Sequence, residues 1–373
     1  MEFIMLPHLA IALALVASTA TQTEQPRPRN RSEATAVIRE LRRIVTPNGI
    51  ERAEAIRIGG IRQFVTIRGA DRRNPVLLIL HGGPGFPEAP LAWWNTRALE
   101  EYFTVVEWDQ RGSGKTYLLN DPDAVAPTMK PERIIDDAEE LVAWLRSDLH
   151  KNKVFVLGHS WGSYIGLELA RRRPEWLHAY IGTGQATNSP ESERRGFAAT
   201  LAAARAAGNR TAVAELEAIA PYASPGKPIL LKDIAVERKW SDFFGGAMAY
   251  RNEQSDGIAA RLSPDYTDEE APRIWDGNDY SQKFLFSAIV SLDLSKITDL
   301  KCPLILLEGR HDLTVNSGLA HEWFERVRAP HKRFVWFENS AHEVMSEEPG
   351  KVLVSLLQYA RPIAERAGDA PTR

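Results

Sequence analysis

The chain has 373 residues, which suits one large domain with an insertion or two modest domains. Hydrophobic residues make up 44% of the chain and charged residues 25%; these proportions are usual for a globular protein and argue against a disordered or fibrous one. The 46 Lys and Arg against 49 Asp and Glu give a net charge of −3, and the absence of a polybasic run removes support for nucleic-acid binding.

Residues 1–20 have the pattern of a secretory signal peptide. The apolar run 9–17 is too short to span a bilayer, and Ser18 and Ala20 follow it at the spacing of a signal-peptidase site. The segment before the run has no Lys or Arg, so an uncleaved anchor or a different start site is the alternative. We expect a secreted or periplasmic protein with no stable membrane span. Residues 21–48 are predicted to be a linker or N-terminal extension, flexible in its Pro- and Arg-rich first part.

Strand-like and helix-like segments alternate through residues 49–184 and again through 298–367, which predicts a core with a mostly parallel sheet flanked by helices. Gly59-Gly60 separates two strand segments as in a hairpin. Cys302, the single cysteine, precedes an apolar run and is predicted to be buried. Strands are predicted at 54–58, 61–67, 75–80, 103–108, 154–157, 177–182, 303–307 and 333–337, and helices at 131–149, 160–172, 317–327 and from 349 to a stop before Pro362.

Between residues 185 and 297 the strand pattern stops. This stretch is rich in Ala and in other helix formers, with scattered aromatic residues. We predict a mainly helical cap, inserted after the sixth strand and covering the sheet. Most of its aromatic side chains would form its own core.

The motif Gly158-His159-Ser160-Trp161-Gly162 fits the pattern G-x-S-x-G and lies between a predicted strand and a predicted helix. A nucleophilic serine needs this tight strand-to-helix turn. Glycine at both flanks lets the backbones approach closely, and the helix start directs N–H groups and the positive dipole end at the serine oxygen. We predict Ser160 as a nucleophile, with an ordinary helix N-cap as the alternative. The side chain of His159 is expected to point elsewhere.

A serine hydroxyl needs a base to take its proton, and His342 is the best placed of the nine histidines. It lies in a loop after the last predicted strand, where open α/β sheets assemble their sites. Asp312 follows the preceding strand and would fix the tautomer of the imidazole. The order Ser160, Asp312, His342 is the order found in hydrolases with this type of serine turn. A helix-capping role for Asp312 near Val315 is the alternative, and Glu308 is the nearest rival acid.

Two backbone N–H groups are predicted to stabilise the oxyanion of a tetrahedral intermediate. One belongs to Trp161, the residue after the nucleophile. The other comes from His81-Gly82-Gly83-Pro84-Gly85, which follows the predicted strand 75–80. Pro84 has no N–H, so the donor is Gly83 or Gly82, and we favour Gly83.

Taken together, these motifs resemble the proline iminopeptidase (prolyl aminopeptidase) family of α/β-hydrolases. The resemblance implies the α/β-hydrolase fold, a triad of Ser160, Asp312 and His342, and oxyanion donors at Gly83 and Trp161. Serine at the turn argues against epoxide hydrolases and haloalkane dehalogenases, which have Asp there. The resemblance covers roughly residues 50–183 and 298–365 and is carried by 81–85, 108–114, 158–162, 309–312 and 341–342.

The cap departs from that family, which usually has a Trp-x-x-Trp-Glu type segment whose glutamate binds the free α-amino group of the substrate. Glu237 and Asp242 are possible substitutes. The leading hypothesis is a serine hydrolase that releases N-terminal proline or a similar residue from small peptides or amides. The alternatives are a carboxylesterase or amidase with the same triad, and, more remotely, a binding module on an inactive hydrolase fold. We expect a small-molecule or short-peptide substrate, no nucleic-acid partner, and no metal or organic cofactor.

Overall fold

The computed structural model of the chain describes residues 27–251 and 254–371. The strands in these residues are β1 (Ile50–Ile58), β2 (Ile61–Gly69), β3 (Val76–Leu80), β4 (Thr104–Trp108), β5 (Val154–His159), β6 (Leu177–Thr183), β7 (Leu304–Gly309) and β8 (Lys332–Phe337). They form one sheet in the order β1-β2-β4-β3-β5-β6-β7-β8. β2 pairs antiparallel with β1 and with β4, and all other neighbours are parallel. The mostly parallel sheet predicted from the sequence is confirmed, with its antiparallel pairs confined to one edge.

Helices flank the sheet and also fill the segment between β6 and β7. A π-helical turn, Leu356–Ala360, lies between the last two α-helices of the chain. The α-helices are α1 (Arg31–Arg42), α2 (Gly114–Leu118), α3 (Pro122–Val125), α4 (Pro131–Asp148), α5 (Trp161–Arg172), α6 (Ser189–Ala206), α7 (Arg210–Ala218), α8 (Leu231–Phe243), α9 (Gln254–Arg261), α10 (Asp276–Ile289), α11 (Ser317–Arg326), α12 (Val344–Glu347), α13 (Pro349–Ser355) and α14 (Arg361–Arg366).

The central strands are buried on both faces, which explains their continuous apolar sequences. In β3, Val76, Leu78 and Leu80 pack into one hydrophobic cluster, and Leu77 and Ile79 pack into a second cluster on the opposite face. All five side chains are at most 1% exposed. Successive side chains of a strand point to opposite faces, so helices must cover both sides of the sheet.

The parallel strands bring the predicted motifs to one edge of the sheet. β3, β4, β5, β7 and β8 run in the same direction, so the loops after their carboxyl ends lie side by side. Those loops begin at residues 81, 109, 160, 310 and 338. Segments that are far apart in the chain therefore meet above this edge.

The described residues between β6 and β7 form helices α6 to α10, so the insertion after the sixth strand is helical, as predicted. Ala204, Ala212, Leu216 and Trp240 make a small separate core within this cap. The domain limits proposed from the sequence stay predictions. None of the helices in the described ranges is both long and apolar enough to cross a bilayer.

Two predicted features near the chain ends differ from the structure. The C-terminal helix does not stop before Pro362: α14 continues to Arg366, with Pro362 in its first turn, where a missing N–H costs little. Residues 31 and 32, predicted to belong to a flexible linker, begin α1, which Asn30 caps by accepting the N–H of Glu33 at 2.9 Å. The predicted signal peptide lies outside the described residues.

Candidate active site

Ser160 sits at a strained turn between β5 and α5. Its φ of +53° and ψ of −117° lie in a region that residues with a side chain rarely adopt. Its N–H donates to the carbonyl of Thr183 at 3.0 Å, which fixes the turn to the neighbouring strand. The turn therefore presents the hydroxyl at the carboxyl edge of the sheet.

Close backbone packing explains the two glycines that flank this turn. A Cβ at Gly158 would lie 2.4 Å from the carbonyl oxygen of Gly162. A Cβ at Gly162 would lie 1.9 Å from the carbonyl oxygen of Leu80. Any side chain at either position would push α5 away from the sheet and move Ser160 with it.

His342 and Asp312 meet through a direct hydrogen bond. The Nδ1 atom of His342 lies 2.8 Å from Oδ2 of Asp312, and both side chains are buried. The second carboxylate oxygen of Asp312 accepts the N–H of Val315 at 2.8 Å. The helix in this region, α11, begins at Ser317 and is capped by Asn316, so the helix-capping alternative for Asp312 is wrong. Since Nδ1 donates its proton to Asp312, the Nε2 atom of His342 is left to act as an acceptor.

Ser160 and His342 line the same cavity. No hydrogen bond joins these two side chains among the bonds of the described residues. Nucleophile–base contacts are often long in enzymes without bound substrate. The structure thus brings all three predicted triad residues to one place and connects two of them directly.

Both residues that carry the predicted oxyanion donors line a cavity together with Ser160. Trp161 is the first residue of α5, and an N–H at this position has no acceptor within its own helix. Gly83 has a φ of +107°, a conformation that favours glycine, and lines the cavity with Ser160. A Cβ on the adjacent Gly82 would lie 3.1 Å from the Cβ of Ser160, so this loop passes directly over the serine.

Gln110 connects the two donor segments, a role that the sequence reasoning did not assign. Its side-chain amide donates to the carbonyl of His81 at 2.9 Å and accepts from the indole N–H of Trp161 at 3.1 Å. His81 in turn accepts the backbone N–H of Gln110 at 3.1 Å and contacts the hydroxyl of Ser113 at 2.9 Å. The available signal was the position of Gln110, two residues after β4 and within the motif of residues 108–114.

His159 faces the site, so the expectation that it points elsewhere was wrong. Its ring packs against the ring of His342 with centroids 4.7 Å apart, and its Nε2 lies 3.2 Å from the carbonyl oxygen of His342. Burial, helped by the nearby charge of His342, lowers the pKa of His159 to about 3. The imidazole ring of His159 is therefore neutral, and it packs against His342 without adding a charge.

Glu308, the rival acid, lies in β7 and does not contact the imidazole. One of its carboxyl oxygens accepts the backbone N–H of Gln185 at 3.1 Å. Burial, and next the charge of Asp312, raise its pKa well above the usual range. The geometry favours Asp312 as the partner of His342.

A cavity of about 630 Å³ opens beside Ser160 and His342. We call it the acidic lobe, because Asp242 and Asp256 of the cap segment and Glu343 line it. Burial raises the pKa of Asp256. Burial and the charge of Glu343 raise the pKa of the nearby buried Glu88 to about 8. The three lining carboxyl groups are acceptors that could pair with a positively charged group of a ligand.

Arg238 is a cation on the wall of the acidic lobe, but carboxylates of the cap offset its charge. Its guanidinium donates to Glu237 and to Glu193. Glu237, one of the two predicted amine ligands, is fully buried, also accepts from Thr200, and is outside the cavity lining. Asp242, the other predicted ligand, does line the cavity.

A second cavity, of about 270 Å³, meets the acidic lobe at Ser160 and Gly83. We call it the apolar lobe, because aliphatic and aromatic side chains form most of its wall. These are Trp161, Ala186, Leu231, Ile234, Ala235, Phe286, Ile289, Val290, Leu292 and Val315; the charged Glu193 and Arg238 also line this lobe.

Within the described residues, one group of side chains could hold a metal ion. Ligand atoms of His159, His342 and Glu343 lie within 4.8 Å of one another. His342 is also the predicted base, so a cation bound at this place would compete with proton transfer.

Comparison with known proteins gives consistent matches. A sequence profile described as "Alpha/beta hydrolase family" matches residues 76–356. The "Probable aminopeptidase YbaC" of Bacillus subtilis (strain 168) is 30% identical over 309 residues, 82% of this chain and 94% of that protein. The "Proline iminopeptidase" of Elizabethkingia meningoseptica is 25% identical over 201 residues, 52% of this chain and 64% of that protein.

A solved structure with a similar fold is the proline iminopeptidase of Mycobacterium smegmatis. It has a TM-score of 0.60 at 20% identity, covering 85% of this chain and 100% of that chain. At this identity the likeness shows the fold alone. The matches confirm the family resemblance that the sequence motifs indicated.

Proposed function

Because the chain belongs to the alpha/beta hydrolase family, we propose that it is a serine hydrolase acting through an acyl-enzyme. We further propose that it is an aminopeptidase, which releases N-terminal proline or a similar residue from small peptides or amides. Ser160 is the nucleophile, His342 the base, and Asp312 the acid that orients the base.

The proposed reaction has two halves, acylation of Ser160 and hydrolysis of the acyl-enzyme, and His342 acts first as base and then as acid in each half. The Ser160 oxygen attacks the substrate carbonyl carbon while His342 Nε2 takes the hydroxyl proton. The N–H groups of Gly83 and Trp161 stabilise the oxyanion. His342 then gives its proton to the leaving amine, the C–N bond breaks, and an ester to Ser160 remains. Water, deprotonated by His342, hydrolyses this ester and restores the serine.

The observation that carries the aminopeptidase proposal is the acidic lobe beside Ser160. A free N-terminus is a cation held close to the scissile carbonyl, and Asp242, Asp256 and Glu343 supply carboxylates in that region. The 30% identical relative named as a probable aminopeptidase supports the same assignment.

The alternative is a carboxylesterase or amidase acting on small acyl substrates with the same triad. The apolar lobe favours it, because an apolar pocket that reaches Ser160 can take an acyl group without any charged partner. In this case the acidic lobe would contribute little to substrate binding.

One assay separates the two candidates. The enzyme is given a prolyl arylamide with a free amine, the same compound with a blocked amine, and a short aryl ester. Turnover of the free-amine compound alone supports the aminopeptidase. Preference for the ester, or equal turnover of free and blocked amides, contradicts it.

We also propose that the chain is exported, on the basis of the signal-like pattern of residues 1–20. Expression of the full chain in a bacterium, followed by N-terminal sequencing of the extracytoplasmic product, tests this. A product beginning near Thr21 supports export with cleavage, and a chain that stays in the cytoplasm with Met1 intact contradicts it.

A further inference from the structure

A short segment of the cap is hydrogen-bonded to both loops that carry the proposed acid and base. The carbonyl of Gly246 accepts the N–H of Leu313, next to Asp312, at 3.0 Å. The carbonyl of Ala247 accepts the N–H of His342 itself at 2.8 Å. We call residues 246–249 the clamp segment, because it connects the cap to the two loops.

Glu347 fixes the far end of the clamp segment. One of its carboxylate oxygens accepts the N–H of Ala249 at 2.6 Å, and the other accepts the N–H of Ala341 at 2.8 Å. Ala341 immediately precedes His342 in the chain. Glu347 is 5% exposed, so these bonds lie away from competing water.

We propose that Glu347 is a positioning residue, whose carboxylate holds the cap and the His342 loop in the arrangement that lets His342 reach Ser160. This rests on the proposed role of His342 as the base. Glu347 lines neither cavity and would touch no substrate, so it would act only through the two backbone N–H groups.

The chemistry of the contact requires a carboxylate. Both partners of Glu347 are N–H donors, and only an ionised carboxyl group offers two oxygens that both accept and neither donates. Glutamine at this position would place an NH₂ group against one of these donors. A small displacement of a catalytic group is enough to lower the rate of the chemical step strongly.

The carboxyl group of Glu347 changes its protonation state near neutral pH. Burial raises its pKa to about 7, against the lowering effect of the two backbone hydrogen bonds. The charged groups around it are Glu343 on its own loop, Asp256 bonded to Ser346, and Arg251, which donates to the carbonyls of Ser346 and Glu347. As pH falls through this value, one acceptor oxygen becomes a hydroxyl and the contact weakens.

The test compares full-length Glu347→Gln with Glu140→Gln. Glu140 also accepts a backbone N–H, that of Gly59 at 2.8 Å, but at a site remote from His342. For Glu347→Gln we expect kcat to fall by roughly 10- to 100-fold with KM little changed. The rate at which a fluorophosphonate labels Ser160 should fall by a similar factor. Glu140→Gln should keep both rates, and Glu347→Asp should recover part of the loss.

The dependence of kcat on pH distinguishes a positioning role from a purely structural one, because a purely structural role would not change the steepness of the acid limb. The acid limb of kcat in the wild type should be steeper than one proton requires, and should return to a single ionisation in Glu347→Gln. If Glu347→Gln misfolds, the activity of Glu347→Asp and the acid limb of the wild-type pH profile still test the proposal. Full activity of Glu347→Asp, together with a wild-type acid limb that fits a single ionisation, overturns it.

The outcomes also separate this proposal from the proposed function. Unchanged kcat and labelling in folded Glu347→Gln overturns the positioning role, provided that Ser160→Ala and His342→Ala are inactive. A lowered kcat with an unchanged labelling rate overturns it too, since the attack by Ser160 that His342 assists would then be unaffected. Activity in Ser160→Ala or His342→Ala would instead overturn the proposed function.

Discussion

Asp312 holds His342 through one carboxylate oxygen and the backbone of Val315 through the other, each at 2.8 Å. The carboxylate is thus fixed from two sides, and its charge faces a buried imidazole. Burial lowers the pKa of His342, but the charge and the hydrogen bond of Asp312 outweigh burial and raise it above its ordinary value. This relationship sets the expected pH dependence of the enzyme.

We expect kcat/KM to fall as pH is lowered through the raised pKa of His342, because a protonated ring cannot accept the proton of Ser160. The midpoint of the acid limb should lie above about 6.5, the ordinary pKa of histidine. Measurement of kcat/KM against pH on one substrate checks this. A midpoint clearly below that value would contradict the assignment of His342 as the base.

Replacement of the proposed nucleophile should abolish turnover without unfolding the protein. Ser160→Ala is expected to lower kcat by a factor on the order of 10⁶, because no other group can form the acyl-enzyme. Circular dichroism and thermal unfolding should match the wild type. Retention of more than a few per cent of the activity would show that Ser160 is not the nucleophile.

Asp312 and Glu308 are the two candidates for the acid that orients His342, and replacing each in turn distinguishes them. Asp312→Asn should lower kcat by about 10⁴-fold, because the amide stabilises the wrong tautomer of His342. Glu308→Gln should change kcat little, since Glu308 accepts the backbone N–H of Gln185 and does not contact the imidazole, and the amide is of similar size. The reverse pattern would move the role to Glu308.

The acidic lobe predicts a selective effect on charged substrates. Asp256→Asn should raise KM for a free-amine prolyl arylamide by roughly tenfold, about 1.4 kcal/mol of lost binding. KM for the amine-blocked compound should not change. Asp279→Asn, on an exposed face of α10 and outside the cavity lining, is the matched control. Equal effects of Asp256→Asn on both compounds would argue against an ammonium site.

A stability prediction follows from the buried pair of Arg111 and Asp137. Their side chains are fully buried and joined by two hydrogen bonds, at 2.7 and 3.0 Å. Asp137→Asn should lower the free energy of unfolding by about 3–5 kcal/mol, because it leaves an uncompensated buried guanidinium. Asp136→Asn removes a partly exposed partner of Arg172 and should cost less than about 1 kcal/mol. Urea denaturation of both variants measures the difference.

Structural features that depend on residues close together in the chain were predictable from the sequence. The turn at Ser160 needs glycine on both sides, and the alternation of apolar runs and helical periods places it between a strand and a helix. The strands were located to within a few residues, except β1, which begins four residues earlier than expected. Pro362 misled the prediction of the last helix, because a π-helical turn before it shifts the hydrogen-bond pattern.

Contacts between distant segments were not predictable. His159 was expected to point elsewhere, yet its ring lies against His342, 183 residues further along the chain. Gln110 joins the loop after β3 to the start of α5, and Glu347 joins the cap to the loop of His342. In each case the partner depends on which loops are adjacent at the edge of the sheet.

The sequence by itself determined the fold, the strained serine turn and the identity of the candidate triad, because these depend on local geometry and on the order of strands in a parallel sheet. Only the tertiary structure decided that Asp312 rather than Glu308 contacts His342, that carboxylates collect on one side of Ser160, and that the cap is bonded to the loops of the acid and the base. Side-chain direction and loop packing have no local sequence signal, because they result from burial and charge contributed by segments far apart in the chain.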